Sequence, residues 1–295
     1  MCPKASASSS LWGESAAPWV LGPDLRVGVR ARLEEIWRYR RIIWFFSVNA
    51  VQRLFANTRF PILIFTLRSV VPIFAGTAIF GTVMRGPSDG VPYFLFLLTG
   101  TTIWNCFDGP LTWGTRALEM NRQLLTKLYL PRIVLPAGQM SAGLVDVIVC
   151  SVVILAALVY YRVTDGVWYS ALTPRLLVAP GVMLLAMLFA FAMSLWTSVW
   201  QARARDMRFV LGYVVGFWYL LTPIVYPMSH LPPAVRWLAA VNPMAGPVEA
   251  FKWALLGIGE WPAYPMAMSL AVTTIVLLTG LWYFEGAEGE IADRL

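Results

Sequence analysis

The sequence predicts an all-α fold: a polytopic transmembrane bundle of about six helices, with an amphipathic helix ahead of it and re-entrant helices between spans five and six. Three observations predict it. Of 295 residues, 58% are hydrophobic and only 13% are charged, with a mean hydropathy of +0.65; a soluble domain carries about 25% charged residues, so its water-facing surface would be undersupplied. Apolar runs near 20 residues recur along the chain, and ~20 helical residues cross the ~30 Å hydrocarbon layer. The basic residues sit between those runs rather than on one face of a soluble domain, so the net charge of +7 reads as membrane topology, without nucleic acid as a partner.

Residues 1–25, rich in Ser, Ala and Pro and without periodicity, read as a disordered tail. No apolar core of a cleaved signal follows Ser6–Ser10. Residues 26–60 are too charged to span. Arg30, Arg32, Arg38, Arg40 and Arg41 alternate with Leu33, Ile36, Trp37, Ile43, Trp44 and Phe46, the pattern of a helix lying in the cytoplasmic headgroup plane; packing on another protein would use the same pattern.

The spans, residues 61–284 in all, are read as 61–84, 92–113, 136–160, 176–200, 210–226 and 263–284, the fifth being short. Pro72, Pro110 and Pro180 kink helices whose neighbours resatisfy the backbone. The stretch 26–59 holds eight arginines, and the connections 114–135 and 201–209 add seven basic residues; the alternate connections hold five. The richer side is cytoplasmic, so both termini lie inside the cytoplasmic membrane, the last as an acidic tail over 285–295. Between spans five and six come six prolines and a short apolar piece at 248–258, too short to cross. Glu249 and Lys252 within it argue against a seventh span.

Chemistry is bounded by what is missing. None of the three lysines follows a glycine, which excludes the phosphate-binding loop. One histidine, His230, excludes a His-pair zinc site and is read as a loop residue. Cys106 and Cys150 lie in apolar runs, away from metal-site spacing. We therefore expect no catalytic set, no metal and no cofactor in this chain. Inside spans lie Arg68, Asp108 and Asp146. Each costs ~2.5–3.5 kcal/mol at a helix centre and must face protein or water. Arg68, ~10 Å along its helix, is expected to snorkel back to the cytoplasm; the aspartates are read either as functional or as helix-packing contacts. Among 14 Trp, 11 Tyr and 16 Phe, Trp104, Phe107, Trp113, Trp196, Trp200, Trp218 and Tyr219 are candidates, with Asp108, for a substrate path, since sugar C–H faces stack on aromatics. Anchoring at the membrane interface is the competing role.

Three stretches in order then resemble one family. They are Leu98-Thr99-Gly100 with Ile103-Trp104-Asn105 and Asn121 through Pro136, which ends aromatic-x-Pro-Arg-x-x-x-Pro; Thr222-Pro223-Ile224-Val225-Tyr226-Pro227 with Leu231-Pro232 and Val241-Asn242-Pro243-Met244; and Phe284-Glu285 with Ala292-Asp293. Over about residues 30–295 the chain resembles the membrane subunit of ABC-type polysaccharide exporters, permeases for O-antigen, teichoic-acid and capsule glycans. Arg53–Pro61 departs from the usual basic, Tyr-containing entry to span one. The resemblance implies a homodimer joined to two copies of a separate ATPase, which binds ATP and Mg, and a lipid-linked glycan as substrate. It places Asn121, Arg122, Leu124, Leu125, Lys127, Tyr129 and Arg132 at the ATPase contact, although the same residues would suit a helix on anionic lipid. A small-drug or lipid permease, an ion-coupled carrier and a membrane-embedded transferase are the competing functions.

Overall fold

The computed structural model describes residues 37–56, 59–125, 131–170, 173–204 and 206–294. The expected tail, part of the amphipathic segment, and Lys127 and Tyr129 lie outside them. The described residues form helices, with no strand among them: α1 (Arg40–Ala56), α2 (Pro61–Gly76, widening to a π-helix over Thr77–Val83), α3 (Tyr93–Thr115), α4 (Ala117–Met120), α5 (Arg122–Leu125), α6 (Val134–Gln139), α7 (Leu144–Thr164), α8 (Ala179–Arg203), α9 (Met207–Leu221), α10 (Pro233–Val241), α11 (Ala245–Leu256) and α12 (Ala263–Arg294). A 3-10 turn at Met140–Gly143 joins α6 to α7, and another at Pro174–Val178 leads into α8.

Among the described residues, four apolar stretches are long enough to cross a membrane: Leu63–Val83, Val134–Thr164, Pro174–Arg203 and Ala263–Ala287. Helix α3 has 23 residues, about 34 Å at 1.5 Å per residue. It is less apolar because it is the central helix, with Leu95 through Gly100 all buried. Helix α9, at 15 residues, is the short fifth stretch that the sequence predicts.

Side-chain pairs fix the helix directions. Phe107 stacks on Phe189, and Thr115 meets Thr197 at 2.6 Å; eight residues of rise on each side make α3 and α8 parallel. Helix α12 runs the same way, since Gly280 touches Ala192 and Tyr283 stacks on Trp196. Asn105 on Cys150 and Gly109 on Gly143 make α7 antiparallel to α3. Gly76 on Leu97 and Gly81 on Tyr93 do the same for α2. These directions alternate as a chain passing back and forth requires.

Glycine sets the closest approach. A Cβ on Gly109 would stand 2.7 Å from the Gly143 carbonyl oxygen, and one on Gly143 would overlap Gly109 and Pro110 backbone. Small residues let helices meet where lipid supplies no hydrophobic drive. Two buried clusters result. The larger joins α3, α7, α8 and α11; the second gathers Phe46, Leu118, Leu135, Val199 and Phe284 at the arginine-rich end. There α1 docks on α6, with Ser47 Oγ donating to the Gly138 carbonyl at 3.2 Å and Ser141 Oγ to the Ser47 carbonyl at 3.1 Å. Trp44 and Phe45 stay exposed. Helix α12 continues through the acidic residues to Arg294, and buries Phe284 and Ala287.

Candidate functional site

A cavity of about 320 Å³ opens between α2, α3, α7 and α9. Its polar lining is Arg68 and Ser69 from α2, Thr101, Asn105 and Asp108 from α3, Asp146 from α7 and Tyr219 from α9, beside the ring of Trp104. The three ionisable residues that the sequence places inside spans thus meet in one place. The Arg68 guanidinium turns to Asp146, Nη2 to Oδ2 3.9 Å. The reason is local, since Asp146 begins α7 beside α2 and is held by Ser69 Oγ at 2.9 Å. The Arg68 side chain is 60% exposed and that of Asp146 13%, so the pair is open on the arginine side. Asp108 accepts from Thr112 Oγ1 at 3.4 Å; among the described residues no cation lies within ion-pair distance of it.

The proposed aromatic path divides. Trp104, Phe107, Trp218 and Tyr219 come together with Phe189; Trp104 lies 5.5 Å from Tyr219 and 6.3 Å from Trp218 between ring centroids. Only Trp104 and Tyr219 reach the cavity. Phe107 is wholly buried, stacked on Phe189 at 5.2 Å, and does not line the cavity. Trp196 and Trp200 belong elsewhere: Trp196 stacks on Tyr283 at 4.3 Å, and Arg203 donates to the Tyr283 hydroxyl at 2.9 Å. Trp113 lies under the Arg116 guanidinium at 5.9 Å near the end of α3.

One wall of the cavity ends at a helix break, Thr222–Tyr226, which is bolted from three sides. Asn242 Nδ2 donates to Thr222 Oγ1 at 2.9 Å, while its Oδ1 accepts from Trp218 Nε1 and from the Met244 amide, each at 3.0 Å. Tyr93 donates its hydroxyl proton to the Val225 carbonyl at 2.6 Å. Lys252, 1% exposed, donates to the Pro223 carbonyl at 2.6 Å, pairs with Glu249 at 3.4 Å, and sits 3.7 Å from the Phe96 ring centroid. Helix α11 is therefore not a headgroup helix. It is buried over ten of its twelve residues, held inside by a lysine whose charge is met by a freed carbonyl, a carboxylate and a ring face. Sequence reasoning missed Tyr93 and gave Lys252 no partner. The signal available was a Glu–Lys pair at i, i+3 in an otherwise apolar helix following Thr-Pro.

At the arginine-rich end, the short helices α4 and α5 follow α3. Arg122 is exposed, and Arg132 is half-buried with Nη1 inside. Asn121 is 2% exposed, and its amide donates to the Ala117 carbonyl at 2.8 Å; it shapes the turn and offers no surface to a partner. Helix α4 is tied to α8 by Gln201 Nε2 donating to Glu119 Oε2 at 2.5 Å. The backbone of Leu124 and Leu125 continues α5.

Residues 41–256 match the family described as ABC-2 type transporter. The O-antigen export system permease protein RfbA of Myxococcus xanthus is 26% identical over 270 residues, 89% of this chain and 98% of that protein. An RfbA of Klebsiella pneumoniae with the same description is 29% identical over 210 residues, 69% of this chain and 76% of its own length. With the family match covering most of an all-helical, multi-pass bundle, the chain belongs to the ABC-2 type transporter membrane family.

Proposed function

We propose that this chain is the permease subunit of an ATP-driven exporter that carries a lipid-linked polysaccharide across the cytoplasmic membrane. The observation that carries the reading is the cavity lined by hydrogen-bonding groups and aromatic rings, set inside a membrane bundle. An acyl chain has no use for two carboxylates and a guanidinium, and a polyol has. The names of the relatives, O-antigen export permeases, support the same substrate class.

The chain works as a homodimer. Helices α2 and α9 flank the cavity and leave bare apolar faces, including Leu63, Leu67 and Phe74 on one and Tyr213, Phe217 and Leu220 on the other. A second copy set against these faces closes a shared path. Two copies of a cytoplasmic ATPase, which hold ATP and Mg, drive it through the connection 114–135, with Arg122, Lys127 and Arg132 orienting the contact and Leu124, Leu125 and Tyr129 docking it. Both termini face the cytoplasm. ATP closes the ATPase dimer, the connection moves, and α4 carries the motion into α8 through Glu119 and Gln201.

Co-expression with the candidate ATPase tests this. The two chains are expected to purify as one complex that displays glycan at the cell surface. Charge reversal at Arg122, Lys127 and Arg132 together is expected to cut display at least tenfold. A complex that never forms, or display that ignores the reversal, sinks the reading.

A further inference from the structure

We infer that the cavity between α2, α3, α7 and α9 is a subsite for a single uncharged sugar ring of the passing chain, and that it rejects acidic sugars. The inference rests on the export reading and adds to it the chemistry that the site selects.

The one guanidinium on the wall, Arg68, already faces the carboxylate of Asp146. A phosphate or a uronate entering here adds a second anion for that single cation in a membrane interior, where charge is weakly screened. A metal cation meets the guanidinium, and no group of three ligating side chains stands together among the described residues. A lipid tail would leave the remaining acceptor sites of Asp108 and the spare donors of Arg68 without partners, at several kcal/mol for each group in hydrocarbon. A neutral polyol satisfies all of them. Its hydroxyls donate to Asp108, which keeps all but one weak 3.4 Å bond for a ligand. Its oxygens accept from Arg68, whose pairing with Asp146 is long at 3.9 Å and leaves donors over. Asn105 adds an amide, which can serve as donor or acceptor.

The rings complete the fit. Trp104 and Tyr219 both border the cavity, at 82° to each other with centroids 5.5 Å apart, so a sugar ring there lies beside aromatic carbon. Thr101 Oγ1 and Tyr219 Oη lie 3.1 Å apart and fix the phenol. The volume, about 320 Å³, is at the small end of ligand pockets, which run from about 300 to 1,000 Å³. It suits one ring with its glycosidic neighbours leaving through the open side.

Saturation-transfer NMR on the purified full chain in nanodiscs tests this with methyl glucoside, galactoside, mannoside and rhamnoside as neutral probes and methyl glucuronide as the acidic one. At least one neutral glycoside is expected to bind, with affinity lowered tenfold or more in Asp108→Asn, which is isosteric and keeps the fold, and in Asn105→Ala. Trp282→Ala, on the exposed face of α12, should bind as the unaltered chain does. No neutral glycoside binding, unchanged binding in Asp108→Asn, or equal binding of the glucuronide overturns the subsite. Surface display separates the two readings. A chain that displays glycan yet binds no glycoside loses the subsite and keeps the export function; one that binds through Asp108 yet displays nothing keeps the subsite and loses the export function.

Discussion

Lys252 shows how one residue can hold a helix where its length forbids a crossing. Its ammonium is buried, so removing it strands both the Pro223 carbonyl and the Glu249 carboxylate. Breaking such a buried pair costs about 3–5 kcal/mol, because the remaining charge is left uncompensated. Lys252→Met keeps the stem over Phe96 and loses only the charge, so we expect a large drop in melting temperature in detergent. Adding Glu249→Gln removes the stranded carboxylate and should restore part of that loss; coupled groups do not add. If the double variant is less stable than Lys252→Met by the full cost of Glu249→Gln alone, the two residues do not act as a pair. The charge on this helix was legible in the sequence, but its partners were not. The carbonyl belongs to a helix break 29 residues earlier, and the ring to α3, and only the fold brings them together.

Helix contacts carry the next scale of argument. At Gly143 the chain passes over α3 with no room for a methyl group, and the atoms in the way are backbone. Gly143→Ala must therefore push α3 and α7 apart, which costs ~3 kcal/mol as overpacking does at its upper end. The two helices also frame the cavity, so the variant should lose melting temperature and glycoside binding together. A variant as stable as the parent would show that the approach is not close. Further along α3, just past its last turn, Glu119 and the buried Gln201 join α4 to α8. We expect Gln201→Leu to fold, to assemble with the ATPase and to hydrolyse ATP, but to lower display about tenfold per ATP used. Glu119→Gln in the otherwise unaltered chain, which keeps an acceptor for the Gln201 amide, should retain most of the display. Equal losses of hydrolysis and display would mean simple destabilisation. The spans were legible because apolar runs have a length that the bilayer sets. The division of the aromatics was not, because Trp104, Phe107, Trp196 and Trp200 look alike in one dimension. Packing then sends Phe107 into the wall, Trp104 to the cavity and Trp196 onto Tyr283.

At the scale of the whole molecule, two independent facts bear on how the chain lies in the membrane. Basic residues are threefold richer in one set of connections than in the other, which predicts that this set faces the cytoplasm. The side-chain pairs make α3, α8 and α12 parallel and set α2 and α7 against α3. Helix α9 is the weak link: its 15 residues reach about 22 Å, short of the ~30 Å layer, so it crosses only if the bilayer thins beside it. Between Arg122 and Ser229 lie α7, α8 and α9. Three crossings put these two exposed residues on opposite sides, and two put them on the same side. In a background with Cys2→Ala, the remaining Cys106 and Cys150 are buried and should stay silent to a membrane-impermeant maleimide. We expect Ser229→Cys to label in intact cells and Arg122→Cys to label only after permeabilisation. The reverse pattern would invert the molecule and remove the ATPase contact from the cytoplasm. Labelling of both from one side would mean that α9 turns back. The cavity wall that Tyr219 supplies would then stand on a re-entrant hairpin, and the path would need a different partner helix to close it.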